Sequence, residues 1–174
     1  MSDGPALVVV CGPPGVGKTL VARTAAEELD GVVLRTDVVR QELFDEPEYT
    51  DEAVRRVYAE LRDRARQRLA DGEPVVLDGT YRSTELRGAA VDTAAEQDVP
   101  VTLLRVTCEE SVVRERIAAR TDDPSEAEFE DHRTIAAAFE PVERPHHAID
   151  NSGSVAETER QVTAALAAER PADE

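Results

Sequence analysis

The chain has 174 residues, 41% of them hydrophobic, and its 37 Asp and Glu against 20 Lys and Arg leave a net charge of −17. That length suits one domain with a real core, and with 3% aromatics and no Trp the core must rest on Val, Leu, Ile and Ala. No apolar run approaches the roughly 20 residues that cross a bilayer, Met1–Pro5 lacks the basic and apolar regions of a signal peptide, and the acidic field repels nucleic acid at low salt; a cytoplasmic protein with no membrane partner is expected.

In chain order, Ala6–Cys11 is a continuous Val-rich run and reads as a buried strand broken by Gly12–Gly17. Lys18–Leu29 follows as a helix, Val32–Leu34 as a second strand, and Val38–Leu43 as a short helix. Asp51–Ala70 is a long helix with i,i+4 pairs such as Glu52–Arg56 and Glu60–Arg64. Pro74–Leu77 is a third strand, Thr84–Gln97 a helix, Val101–Val106 a fourth strand and Glu110–Arg120 a helix. A turn at Thr121–Pro124 precedes a helix over Ser125–Phe139, with Ser125 and Glu128 spaced as a capping box. After the loop Pro141–His147 come a last short strand, Ala148–Asp150, and a closing helix, Val155–Glu169.

Strands that lack period-2 polarity and alternate with helices predict a sheet covered on both faces. The expected fold is therefore α/β, in three layers, with five mostly parallel strands in one domain over residues 1–174. Cys11 and Cys108 each end an apolar run and are expected to pack rather than react. Lys18 is the only lysine, every other cation being arginine. An acidic, lysine-poor surface suits a protein kept soluble in molar salt, where the Debye length falls to about 3 Å, or an ordinary cytosol served by a GC-rich genome. Position 18 is then a place that demands a compact ammonium.

Gly12-Pro13-Pro14-Gly15-Val16-Gly17-Lys18-Thr19 fits G-x-x-x-x-G-K-S/T between a predicted strand and a predicted helix. Glycines let the backbone turn its N–H groups into one concavity, and the helix N-terminus favours polyphosphate. The expected nucleotide-binding segment runs from Gly12 through Thr19 to Leu20, with Lys18 on the β/γ-oxygens and the Thr19 hydroxyl on Mg²⁺. Pro74-Val75-Val76-Leu77-Asp78 is an apolar strand ending in a carboxylate, which makes Asp78 the second candidate for the Mg²⁺ shell; a turn or capping aspartate is the alternative. Gly79 stands where water-activating ATPases carry glutamate, which favours transfer to a bound acceptor over hydrolysis.

These motifs resemble the P-loop kinases that include phage-type polynucleotide 5′-kinases, gluconate kinases and zeta toxins. The resemblance runs from Ala6 to Glu143 and rests on the P-loop, Thr36-Asp37-Val38-Val39-Arg40, Leu77-Asp78-Gly79-Thr80 with Arg87 beyond, and Arg116-Ile117-Ala118-Ala119-Arg120 before Asp122-Asp123-Pro124-Ser125. It implies a nucleoside-kinase-like three-layer fold with a helical lid over about residues 114–140. It further implies that Asp37 is the base for an acceptor hydroxyl, with an N-cap as its alternative role. Arg40 and Arg87 would hold the acceptor, or else form a surface ion pair and a solvated helix face. Arg116 and Arg120, four apart on one helix face, would meet the transferring phosphoryl on lid closure, unless they are solvated charge. Arg120 is also expected on the nucleotide. The loop Ile149–Ser154 resembles the one beside adenine in such kinases, or is a plain connection. His132, His146 and His147 show no metal spacing and read as surface or loop residues.

Thr36 replaces a common Ser and Gly79 a common Ala, and the segments that the resemblance makes acceptor-binding, Glu46–Asp51 and Tyr81–Leu86, match no single subfamily, which leaves the substrate open. Three functions remain compatible at this stage. They are an ATP–Mg²⁺ kinase acting on a small hydroxyl acceptor, a polynucleotide 5′-kinase (for which no basic, aromatic groove is evident), and a non-catalytic nucleotide switch. Monomer and homodimer both fit.

Overall fold

The computed structural model describes residues 4–46, 48–119 and 126–169, of which 126–128 by backbone alone. Five strands, β1 (Leu7–Cys11), β2 (Val32–Arg35), β3 (Val75–Asp78), β4 (Val101–Thr107) and β5 (His147–Asp150), alternate with seven helices among these residues. The helices are α1 (Lys18–Leu29), α2 (Thr36–Leu43), α3 (Asp51–Ala70), α4 (Thr84–Glu96), α5 (Glu110–Ala119), α6 (Glu126–Ala138) and α7 (Val155–Ala168). The strands form one sheet in the order β2-β3-β1-β4-β5. Every pairing is parallel, where the sequence had predicted a mostly parallel sheet.

The central strand shows why period-2 polarity is missing. Leu7, Val9 and Cys11 pack with Val57, Leu61 and Ala65 of α3 and with Ala90 and Ala94 of α4. The intervening Val8 and Val10 pack on the other side, with Val21 and Ala25 of α1 and Val162 and Leu166 of α7. Successive side chains point to opposite faces, and both faces are roofed by helices, so all five residues of β1 are buried. Helices cover both faces of the sheet, as the sequence predicts.

Local capping agrees with the sequence in places it did not single out. Thr50 accepts from the Ala53 amide and starts α3, and Ser83 accepts from the Leu86 amide and starts α4. Ser154 and Glu157 form a reciprocal capping box at α7. The capping box expected at Ser125 and Glu128 lies outside the described side chains. Chain order departs from sheet order at β1, which lies between β3 and β4. In such sheets the crevice beyond the carboxyl ends of the strands is where ligands bind.

Candidate active site: a phosphate cradle facing a carboxylate pair

A cavity of about 780 Å³ opens at that edge. One wall is the loop between β1 and α1. Gly17 precedes α1 at φ 92° and ψ 36°, and no side chain caps the helix, so the first-turn amides are not taken by a cap. A Cβ at Gly17 would collide with Asn151 Nδ2, and one at Gly12 would lie 2.7 Å from the Val106 carbonyl oxygen. Both positions therefore need glycine for space as well as for backbone freedom.

Asn151 holds the loop from behind. Buried at the end of β5, it donates through Nδ2 to the Val16 carbonyl at 2.8 Å, while its Oδ1 accepts from Thr158 at 2.6 Å. His132 reaches the loop from α6: its Nδ1 lies 2.7 Å from the Pro14 carbonyl oxygen. A carbonyl only accepts, so Nδ1 carries the proton. His132 is 5% exposed, which corrects its reading as a surface or loop residue.

Lys18 and Thr19 begin α1. The Lys18 ammonium donates to the Pro13 carbonyl at 3.1 Å. Burial lowers its pKa, against the opposing pull of the Asp78 and Asp37 carboxylates. Thr19 Oγ1 donates to Asp78 Oδ2 at 3.4 Å. Asp78 is 5% exposed, and burial raises its pKa against the pull of Lys18 and Arg35. Parallel register places Arg35 of β2 beside Asp78 of β3. The Arg35 guanidinium lies 3.5 Å from Asp78 Oδ2 and 3.7 Å from Asp37 Oδ2. The hydroxyl of Thr19 and the carboxylate of Asp78, converging on one spot, are hard oxygen donors that fit Mg²⁺. Among the described residues no cluster of three or more His, Cys, Asp or Glu is found.

Asp37 lines the same cavity from α2. The residue capping α2 is Arg35, and Asp37 sits within the first turn, so the N-cap alternative does not apply. Arg40, one turn on, donates to Asp37 Oδ1 at 3.4 Å. Tyr49, Tyr58 and Arg82 complete this end; Tyr49 and Arg82 fall in the two segments expected to bind the acceptor, whereas Tyr58, inside the helix predicted over Asp51–Ala70, was not singled out.

Two expected site residues are elsewhere. Arg87 is 2% exposed and donates to the carbonyls of Tyr81 at 2.6 Å, Glu140 at 2.8 Å and Pro141 at 3.1 Å. It clamps the chain beyond α6 onto the start of α4 instead of lining the cavity. Arg116 donates to Cys108 Sγ at 3.5 Å and to the Gly153 carbonyl at 3.3 Å, beside the loop after β5. Arg120 and the turn expected over Thr121–Pro124 lie outside the described residues.

The family model described as an AAA domain matches residues 7–142. The chain belongs to this AAA-domain family. An uncharacterised protein of Mycobacterium tuberculosis is 33% identical over 159 residues, covering 84% of this chain and 32% of the relative. The chain thus spans about a third of the length of the mycobacterial relatives it matches. A UPF0200 protein of Aeropyrum pernix is 40% identical over 90 residues, covering 45% of this chain and 48% of that one. Among solved structures, a gluconokinase of Sinorhizobium meliloti 1021 superposes with TM-score 0.75 at 24% identity, over 94% of this chain and 93% of that one. The APS kinase of Mycobacterium tuberculosis, solved with AMPPNP and APS, gives 0.75 at 16% identity, over 94% and 98%. This AAA-domain chain therefore has the fold of P-loop kinases, three layers with the loop after the central strand. Among the described residues no helix is long and apolar enough to cross a membrane.

Proposed function

We propose that this AAA-domain protein is an ATP- and Mg²⁺-dependent kinase that transfers the γ-phosphoryl group to a hydroxyl of a small-molecule acceptor. The observation that carries the reading is that the phosphate cradle and Asp37 line one cavity. In that arrangement a cradled triphosphate and a hydroxyl at Asp37 would face each other across the space between.

Each residue then has a role. The loop amides and Lys18 bind the polyphosphate, with Lys18 set against the β/γ-oxygens. Thr19 and Asp78 would hold the metal, which would supply positive charge against the polyphosphate. Asp37 takes the proton of the acceptor hydroxyl. The acceptor oxygen forms its bond to the γ-phosphorus as the bond from phosphorus to the β–γ bridging oxygen breaks, and ADP leaves. Arg35, already between Asp37 and Asp78, keeps the two carboxylates from repelling one another as the nucleotide's charge arrives. Asp131 and Ile135 of α6 line the cavity, and His132 of the same helix bonds the loop, which supports a lid over about residues 114–140. Arg116 would have to release Gly153 to join Arg120 at the phosphoryl group.

The experiment uses Asp37→Asn. Lys18 is the only lysine, so acylation of residue 18, read by peptide mass, reports occupancy of the cradle. ATP–Mg²⁺ is expected to protect Lys18 equally in wild type and variant, while ADP formation on a mixed hydroxyl-acceptor panel falls in the variant by about 10²-fold or more. Unchanged turnover would remove Asp37 from the role of base. Absent protection in wild type would remove the kinase reading altogether.

A further inference from the structure

Three carbonyls of the loop between β1 and α1 are tied by side chains from three different places. Lys18 of α1 donates to Pro13, Asn151 at the end of β5 to Val16, and His132 of α6 to Pro14. Only the last bond joins the loop to α6, whose Asp131 and Ile135 line the cavity. His132 itself is absent from that lining. Among the described residues its ring is the one hydrogen-bond partner of the Pro14 carbonyl.

The next residue is pressed from α5. Gly15 stands at φ 88°, and a Cβ there would lie 3.1 Å from Val113 Cγ1 and 3.4 Å from Ile117 Cδ1. Phe129 of α6 packs in the same core cluster as Val113 and Ile117, and the His132 ring lies nearly parallel to it, 6.1 Å between centroids. Glu110 of α5 and Arg133 of α6 form an ion pair at 3.1 Å. The Pro14–Gly15 peptide therefore sits where α5 and α6 meet. A trans peptide carries its C=O and N–H antiparallel, and no cis bond occurs among the described residues. A Pro14 carbonyl held by His132 thus turns the Gly15 N–H to the opposite side. That amide has no acceptor among the described residues, and Gly15 lines the cavity. An unpaired N–H beside such a concavity is a donor for an anion.

We propose that His132 is a positioning residue for the triphosphate: by holding the Pro14 carbonyl it keeps the Gly15 amide aimed into the cradle, so that the cradle is complete only while α6 is docked. This rests on the kinase reading of the cavity. His132 acts through one peptide plane and not on the phosphate itself. With its bond lost the peptide is free to turn, and a carbonyl oxygen swung into the cradle repels phosphate oxygens. By linkage, a phosphate chain in the cradle favours the docked α6 in return.

The test measures Kd by calorimetry for AMPPNP–Mg²⁺ and for tripolyphosphate–Mg²⁺, which has neither base nor sugar. His132→Phe keeps a ring against Phe129 but has no N–H, and a C–H does not approach an oxygen as closely as 2.7 Å. Both ligands are expected to bind it about tenfold more weakly than wild type. His132→Asn places an amide N–H near the position of Nδ1 and should return both affinities to within about threefold of wild type. His132→Gln, whose amide falls nearer Nε2, should stay close to His132→Phe. The Asn and Gln variants keep the test open should His132→Phe not fold. Full affinity in His132→Phe, equal affinities in His132→Asn and His132→Gln, or a loss for AMPPNP without one for tripolyphosphate would overturn the proposal. Failure of wild type to bind AMPPNP–Mg²⁺ would instead strike the kinase reading.

Discussion

Arg87 donates to the carbonyl of Tyr81 at 2.6 Å, and Tyr81 stands in the left-handed region at φ 46°. A tyrosine there is strained by about 1–2 kcal/mol, and its neighbours hold it from both sides. The amide of Tyr81 donates to the Tyr58 hydroxyl at 3.1 Å, and the two rings meet edge-on at 4.8 Å. The turn so fixed delivers Arg82 to the cavity and carries Gly79 and Thr80 past the cradle, where Gly12 donates to the Thr80 carbonyl at 3.1 Å.

Replacing Arg87 with Gln is accordingly expected to act on stability. Three carbonyls lose a charged donor in a buried place, a loss of about 3 kcal/mol, read by urea unfolding. Lys at 87 should restore less than half, since an ammonium cannot span carbonyls on both sides as a planar fork does. Nucleotide affinity should stay within about twofold of wild type once the variant is folded. A variant of full stability that had lost only phosphoryl transfer would show instead that Arg87 acts on the acceptor.

Asn151→Ala tests the support behind the cradle. It removes the donor to the Val16 carbonyl and leaves the Thr158 hydroxyl with only its longer bond, 3.3 Å, to the Ser154 carbonyl. A hydrogen bond of this kind contributes about 1–1.5 kcal/mol, so ATP–Mg²⁺ affinity by calorimetry is expected to fall roughly tenfold. Gly17→Ala should lose more, because the added methyl meets the Asn151 amide at a backbone conformation that disfavours it. Wild-type affinity in Asn151→Ala would mean that the loop holds its shape unaided.

Cys11 sets an alkaline limit on stability. Burial pushes its thiol up from 9.0 to about 11, against the pull of the Arg87 and Arg105 guanidinium groups. The unfolded chain ionises this thiol from about pH 9.0, while the folded chain keeps it neutral until about 11. Its contribution is therefore complete below pH 9 and is lost as the pH rises towards 11, by on the order of 2–3 kcal/mol. Unfolding of wild type compared with Cys11→Ala at intervals across that range isolates the effect, because the other alkaline groups cancel in the difference. A difference that did not change with pH would place the thiol in contact with water.

The order and type of the elements were legible because each is a local matter. A Val-rich run bounded by glycine or proline makes β1 and β3, and a Ser or Thr before an acidic first turn starts α3, α4 and α7. The cradle was legible for the same reason, since its glycines, its lysine and its threonine lie within one turn of the chain. The pairing of Asp37 with Arg40 follows from helical spacing alone.

Direction and company were decided elsewhere. Arg87 has the spacing of an acceptor ligand, but the chain leaving α6 returns 53 residues later in the sequence and takes its guanidinium with the Glu140 carbonyl. His132 carries no motif, yet it ends 118 residues from its partner Pro14, and Asn151 grips Val16 across 135. Arg35 pairs with Asp78 only because parallel register brings the carboxyl ends of β2 and β3 level. Sequence by itself determined the layers, the phosphate loop and the carboxylate at the end of β3, since propensity, capping and hydrophobic runs act over a few residues. Tertiary structure alone decided which arginines face the cavity, because that depends on which distant carbonyls and carboxylates the packed sheet brings within reach, and no local pattern records them.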